Sequence, residues 1–168
     1  MKNLILTALI LLSASSLVVA KSNDESLCGE RDVEVASCLL SGKGRRVVSI
    51  CANEKNSEVA YYFGTKNKIE FRVNFSSQRK LYRWQDKETY VVFFGFNESG
   101  HSYVFGVPQE TLGARAFLLK KKSEELLDFS APKFCVSNSF GNKNLMSIAI
   151  DDVSDSTVRD KDFAFPPN

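Results

Sequence analysis

Short alternations of apolar and polar residues run through most of the chain. The cleanest is Ile69-Glu70-Phe71-Arg72-Val73-Asn74-Phe75, with four apolar residues facing one way and three polar ones the other, as a half-buried strand requires. Val33 to Cys38, Val47 to Ala52, Val59 to Phe63, Leu81 to Trp84, Ser102 to Val107, Ala114 to Leu119 and Leu145 to Ile150 read as further strands. Tyr90 to Phe96 is apolar on both faces, which predicts a central strand or an interface. Ser123 to Phe129 reads as a short helical turn capped by Ser123. Turn signals recur about every ten residues, which favours an all-β fold. The expected architecture is a compact antiparallel sandwich or barrel of about eight strands, with at most that one helical turn. No internal repeat or low-complexity linker divides residues 21–168, so a single all-β domain is expected there. The tail Phe163-Ala164-Phe165-Pro166-Pro167 is either loose or pinned by its two phenylalanines.

The first 20 residues stand apart. Lys2 precedes an apolar run, Leu4 to Leu12, and Val18 and Ala20 suit a signal-peptidase cut after Ala20. The run is short for a membrane span and polar residues follow it, so residues 1–20 are expected to be a signal peptide. Lys21, not cysteine, follows the cut, which argues against a bacterial lipid anchor. No second long apolar run exists, so no membrane span is expected. The chain has 22 Lys+Arg against 20 Asp+Glu. A charge so near balance gives no general basis for binding nucleic acid. A periplasmic or secreted location is expected.

Four cysteines remain after the cut: Cys28, Cys38, Cys51 and Cys135. In an exported chain an even number reads as two disulfides with three possible connectivities. Folding the hairpin about Gly44-Arg45 sets Cys38 opposite Cys51, which favours Cys38–Cys51 and leaves Cys28–Cys135. Metal binding is the rival reading, weakened by the lack of any C-x-x-C pair and by His101 being the only histidine. No metal or cofactor is therefore expected. Asn74-Phe75-Ser76 and Asn97-Glu98-Ser99 fit the glycosylation pattern. In a bacterial chain the pattern has no meaning; in a eukaryotic one both could carry sugar.

Enzymatic signatures are sparse. His101 beside Ser99 and Ser102 is too local along one strand to make a serine–histidine–acid site. Glu70, Asp86 and Glu98 are candidate acids for a sugar hydrolase, but no spacing selects a pair, and an enzyme is not expected. Asp151 to Ser156 carries oxygen ligands suited to calcium without the glycine and terminal glutamate of an EF-hand loop, and reads as a solvated turn. Trp84 with Tyr82 and Arg83 reads either as ordinary packing or as a sugar-stacking face. Lys120-Lys121-Lys122 reads as the wet end of a strand.

One constellation is more specific. Ser99-Gly100-His101-Ser102-Tyr103 reads S-G-x-x-Y at the tip of an expected hairpin. It resembles the motif shared by bacterial periplasmic lysozyme inhibitors of the c-type and i-type groups. That resemblance implies a compact β-structure of about this size whose motif loop enters a lysozyme cleft. It implies a lysozyme or other cell-wall hydrolase as partner, contacted by Ser99, Gly100 and Tyr103. The chemistry is consistent. Lysozyme-type glycosidases present two carboxyl groups across a groove. Ser99 offers a hydroxyl, Gly100 lets the backbone approach closely, and Tyr103 is an aromatic anchor with a phenol. The alternative is a periplasmic interaction or immunity-type protein without inhibitory activity, using an apolar patch around Phe93, Phe94 and Phe96, with a homodimer through that strand.

Overall fold

The structure is a computed structural model that describes residues 26–110, 112–123, 125, 127 and 130–167. The expected signal segment, 1–20, and part of the expected helical turn at 123–129 lie outside the described residues. The fold is an all-β sandwich and not a closed barrel. Strands β1 (Val33–Leu39), β2 (Val47–Ala52), β3 (Val59–Thr65) and β4 (Lys68–Phe75) form one antiparallel meander. The second sheet contains β5 (Leu81–Gln85), β6 (Val91–Glu98), β7 (His101–Pro108), β8 (Phe117–Lys122), β9 (Lys133–Phe134) and β10 (Ile150–Val153). Its order is β10-β5-β6-β7-β8-β9. All its neighbours are antiparallel except β10, which runs parallel to β5. A short helix, α1 (Asp155–Arg159), follows with Ser154 as N-cap, its side chain accepting from the Thr157 amide.

The sheets bury their facing side chains in a continuous core. Val35, Val48, Ile50, Tyr61 and Phe75 come from the first sheet, and Phe94, Phe96, Phe105, Val107 and Leu118 from the second. A second cluster lies on the outer face of the six-stranded sheet. Trp84, Phe93, Val104 and Leu119 are roofed there by Val158 of α1 and by Phe165 of the tail. Trp84 stacks on Phe93 at 4.7 Å and donates its indole N–H to Asp155 at 2.9 Å. The tail is thus pinned, with Phe165 fully buried. Burial of such a ring stabilises by about 1.5–3 kcal/mol.

This third layer explains the two-sided apolarity of β6. Phe94 and Phe96 face the inter-sheet core while Phe93 faces the outer cluster, and none is more than 3% exposed. The expected interaction patch on these three residues is therefore corrected: the first sheet covers Phe94 and Phe96, and the chain's own tail and helix cover Phe93. Both edges of β6 are also taken, by β5 and β7. Trp84 is likewise buried, so it is packing and not a sugar platform.

Two local expectations are corrected at the last strand. Residues Leu145 to Ala149 are not strand but a bent segment. The Leu145 amide donates to Asn142 O, and the Ile150 amide to Ser147 O. The alternation is real, with Leu145 and Ala149 buried and Met146 and Ile148 exposed. The carbonyls, however, serve a side chain: Arg83 Nη1 donates to Lys143 O at 3.0 Å and to Leu145 O at 2.9 Å. The strand begins only at Ile150 and uses Asp151 and Asp152, expected to be a solvated turn. Asp152 is held by Arg83, Nε at 2.6 Å and Nη2 at 2.8 Å, a two-pronged pairing that makes a charged strand tolerable beside β5.

The disulfides join Cys28 to Cys51 and Cys38 to Cys135, not the expected Cys38–Cys51 and Cys28–Cys135. The reason is register and facing. Cys38 pairs across the ladder with Val48, and Cys51 with Glu34. Cys38 belongs to the inter-sheet core with Val48 and Ile50, and Cys51, adjacent to Ile50, points to the opposite face. On that outer face the segment before β1 crosses β2, with the Leu27 amide donating to Ser49 Oγ at 2.9 Å.

Candidate functional site

The S-G-x-x-Y residues lie on the β6–β7 hairpin. Glu98 pairs with His101, leaving Ser99 and Gly100 as a two-residue loop. Their φ values are 50° and 72°, and positive φ at both central positions is the signature of a type I′ turn, whose twist matches the flanking strands. Gly100 meets this requirement without strain, and the space around it is open. Both residues are exposed.

The tip is braced from several sides. Arg79 binds the Glu98 carboxylate and also reaches Asn97 O at 3.4 Å. The Arg79 hydrogen bond holds the Glu98 carboxyl below the usual carboxylate range. Ser99 Oγ donates to Glu98 at 3.3 Å, and the Ser123 amide donates to Gly100 O at 3.1 Å. His101 Nδ1 lies 3.1 Å from Ser99 O. Ser102 Oγ donates to Asn97 Oδ1 at 2.6 Å, and Asn97 Nδ2 donates to Pro167 O at 3.2 Å. The Asn97 amide is thus engaged at both ends. Asn74, the other glycosylation candidate, accepts from Arg72 at 2.8 Å.

Tyr103 is placed differently from Ser99 and Gly100. It alternates in phase with Phe105 and Val107 and turns toward the space between the sheets, half-buried. Its ring stacks on Phe96 at 5.1 Å and on Phe71 at 5.1 Å, with the Lys120 ammonium 5.2 Å from its centroid. Ser99 and Gly100 therefore share the tip, and Tyr103 packs inward just behind it, opposite Phe96. Tyr103 also lines an inter-sheet cleft of about 570 Å³, with residues from β3, β4, β8 and β9. Sequence reasoning missed this cleft, because its residues are scattered along the chain.

The three candidate acids each face an arginine. Glu70 accepts from Arg46 at 2.9 and 3.1 Å, Asp86 is held by Arg159, and Glu98 by Arg79. Burial pushes the Asp155 carboxyl up, but the hydrogen bonds from Trp84 and Arg159 outweigh it and leave its pKa lowered. Among the described residues no group of three or more His, Cys, Asp or Glu side chains is placed to hold a metal ion. Among them, too, no helix is long and apolar enough to cross a membrane. No family model, curated protein or solved structure matches this chain.

Proposed function

We propose that the protein is an exported binding protein that blocks a cell-wall hydrolase of the lysozyme type, with the Ser99–Gly100 tip entering the enzyme's cleft. The observation that carries this reading is the exposed type I′ turn, tight and braced by the Arg79–Glu98 pair. A rigid, projecting loop loses little entropy on docking. The tip's backbone N–H groups offer donors to a carboxylate-lined groove, and the Ser99 hydroxyl joins them by exchanging its long bond to Glu98 for one to the enzyme. Two disulfides support an oxidising compartment, periplasmic or extracellular.

A second reading keeps the exported binding role without inhibition. The stacking of Tyr103 on Phe71 and Phe96 favours it, because a ring placed this way has a structural reason to be there.

The test is titration of the oxidised chain, residues 21–168, into c-, i- and g-type lysozymes acting on cell walls. Ser99→Gly removes the hydroxyl while suiting the positive φ, and Tyr103→Phe removes the phenol while keeping the ring stack. Inhibition of one lysozyme type, weakened at least about tenfold in the double variant, supports the first reading; tenfold corresponds to about 1.4 kcal/mol. No inhibition of any type transfers the assignment to the second.

A further inference from the structure

The cleft beside Tyr103 has a composition that selects a ligand. Tyr61, Phe63, Phe71, Tyr103 and Leu118 supply an apolar, largely aromatic wall. Lys120 and Lys133 line the same cleft and are both exposed. Their spacing follows from the ladder. Lys133 pairs with Leu118, and Lys120 lies two residues further along the same face of β8. They are diagonal neighbours, with a separation of about 7–8 Å expected for such positions. Neither lysine makes an ion pair among the described residues. The one carboxylate in the lining, Glu70, is already neutralised by Arg46. Burial pushes the Tyr61 hydroxyl pKa upward, with Tyr103 adding to the shift, so Tyr61 brings no negative charge. The volume, about 570 Å³, is in the range of small-molecule sites.

We propose that this cleft binds a small amphipathic carboxylate, its apolar body against the aromatic wall and its charge between Lys120 and Lys133. The ammonium groups select an anion over a cation, and the rings select an apolar body over a simple inorganic ion. This proposal is independent of the hydrolase reading, which rests on the hairpin tip.

The probe is 2-naphthoate, titrated into the oxidised protein by calorimetry and followed by amide chemical shifts, with 2-naphthylmethylamine as the cationic control. The expected result is saturable naphthoate binding with shifts at Leu118, Lys120 and Lys133, and weak or no binding of the amine. Lys120→Glu with Lys133→Glu weakens naphthoate at least about tenfold and reverses the preference toward the amine. Ala131→Trp, which keeps both lysines and fills the cleft mouth, abolishes binding, whereas Ser99→Gly leaves it unchanged. Absence of saturable naphthoate binding at millimolar concentration overturns the proposal. So does equal binding of the amine, or unchanged naphthoate affinity in the double-charge variant.

Discussion

The ring of Phe165 occupies the space that a side chain on Gly95 would need. A Cβ at residue 95 would lie 2.5 Å from Phe165 Cε1, closer than carbon atoms pack. Gly95 thus makes a slot in the outer face of β6, and the tail fills it. Phe165→Ala is expected to cost about 3–5 kcal/mol. Gly95→Ala is expected to cost about 1–3 kcal/mol by forcing the ring out. In the Phe165→Ala background the Gly95→Ala penalty falls toward zero, because the clash has no partner. Chemical denaturation of the four members of this cycle checks it, and additive penalties would refute the slot.

The disulfide pairing makes a direct prediction. Non-reducing peptide maps will contain Cys28 linked to Cys51 and Cys38 linked to Cys135. The second bridge closes the longer loop, with a sequence separation of 97 against 23. On the loop-entropy model its removal by paired alanines costs about 4–5 kcal/mol and removal of the other about 3 kcal/mol.

Glu98 sets an acid limit on the hairpin brace. Its pKa is lowered in the folded state, so its contribution is present above the unfolded value of about 4.3 and is lost as pH falls through the folded value. The pair is partly exposed, and its contribution should not exceed about 1 kcal/mol. Carboxyl chemical shifts across an acid titration check the direction. Arg79→Met returns Glu98 to the ordinary carboxylate range.

Arg83 lies opposite Asp152 in the β5–β10 ladder and extends that link to a segment outside the strands. Its guanidinium grips Asp152 and the carbonyls of Lys143 and Leu145 while its side chain is only 10% exposed. Arg83→Lys keeps the charge but loses the fork, and about 2–3 kcal/mol of stability is expected to go with it. Thermal unfolding measures the loss, and faster amide exchange from 143 to 153 locates it.

The sandwich was legible because period-two alternation is strong in β4 and β-branched residues mark β2, and both meet the core. The sheet pairing of β10 was not, because Asp151-Asp152 reads as a wet turn until Arg83, far away in sequence, is placed against it. The cysteine pairing was hidden for a similar reason. A bulge between Glu34 and Ala36 and a ladder centred near Lys43 set which residues oppose each other, and spacing carries neither. At the candidate site the turn Ser99-Gly100 was visible in the sequence, whereas the inward ring of Tyr103 follows from its phase with Phe105 on β7. The cleft was invisible, since Phe71, Leu118 and Lys133 meet only after two sheets have stacked.

The outer layer over Trp84 and Phe93 has a consequence for how the molecule is made. Its roof comes from Val158 and Phe165, which follow every strand of both sheets in the chain. A chain extended only as far as β9 carries every strand of the first sheet while the second still lacks both its β10 edge and its cover. A ribosome that stops before residue 150 would release a product with Trp84 and Phe93 bare, an adhesive surface suited to aggregation or to capture by a chaperone. Covering of this face therefore waits for residues 150–165, and quality control has a hydrophobic face by which to recognise unfinished molecules.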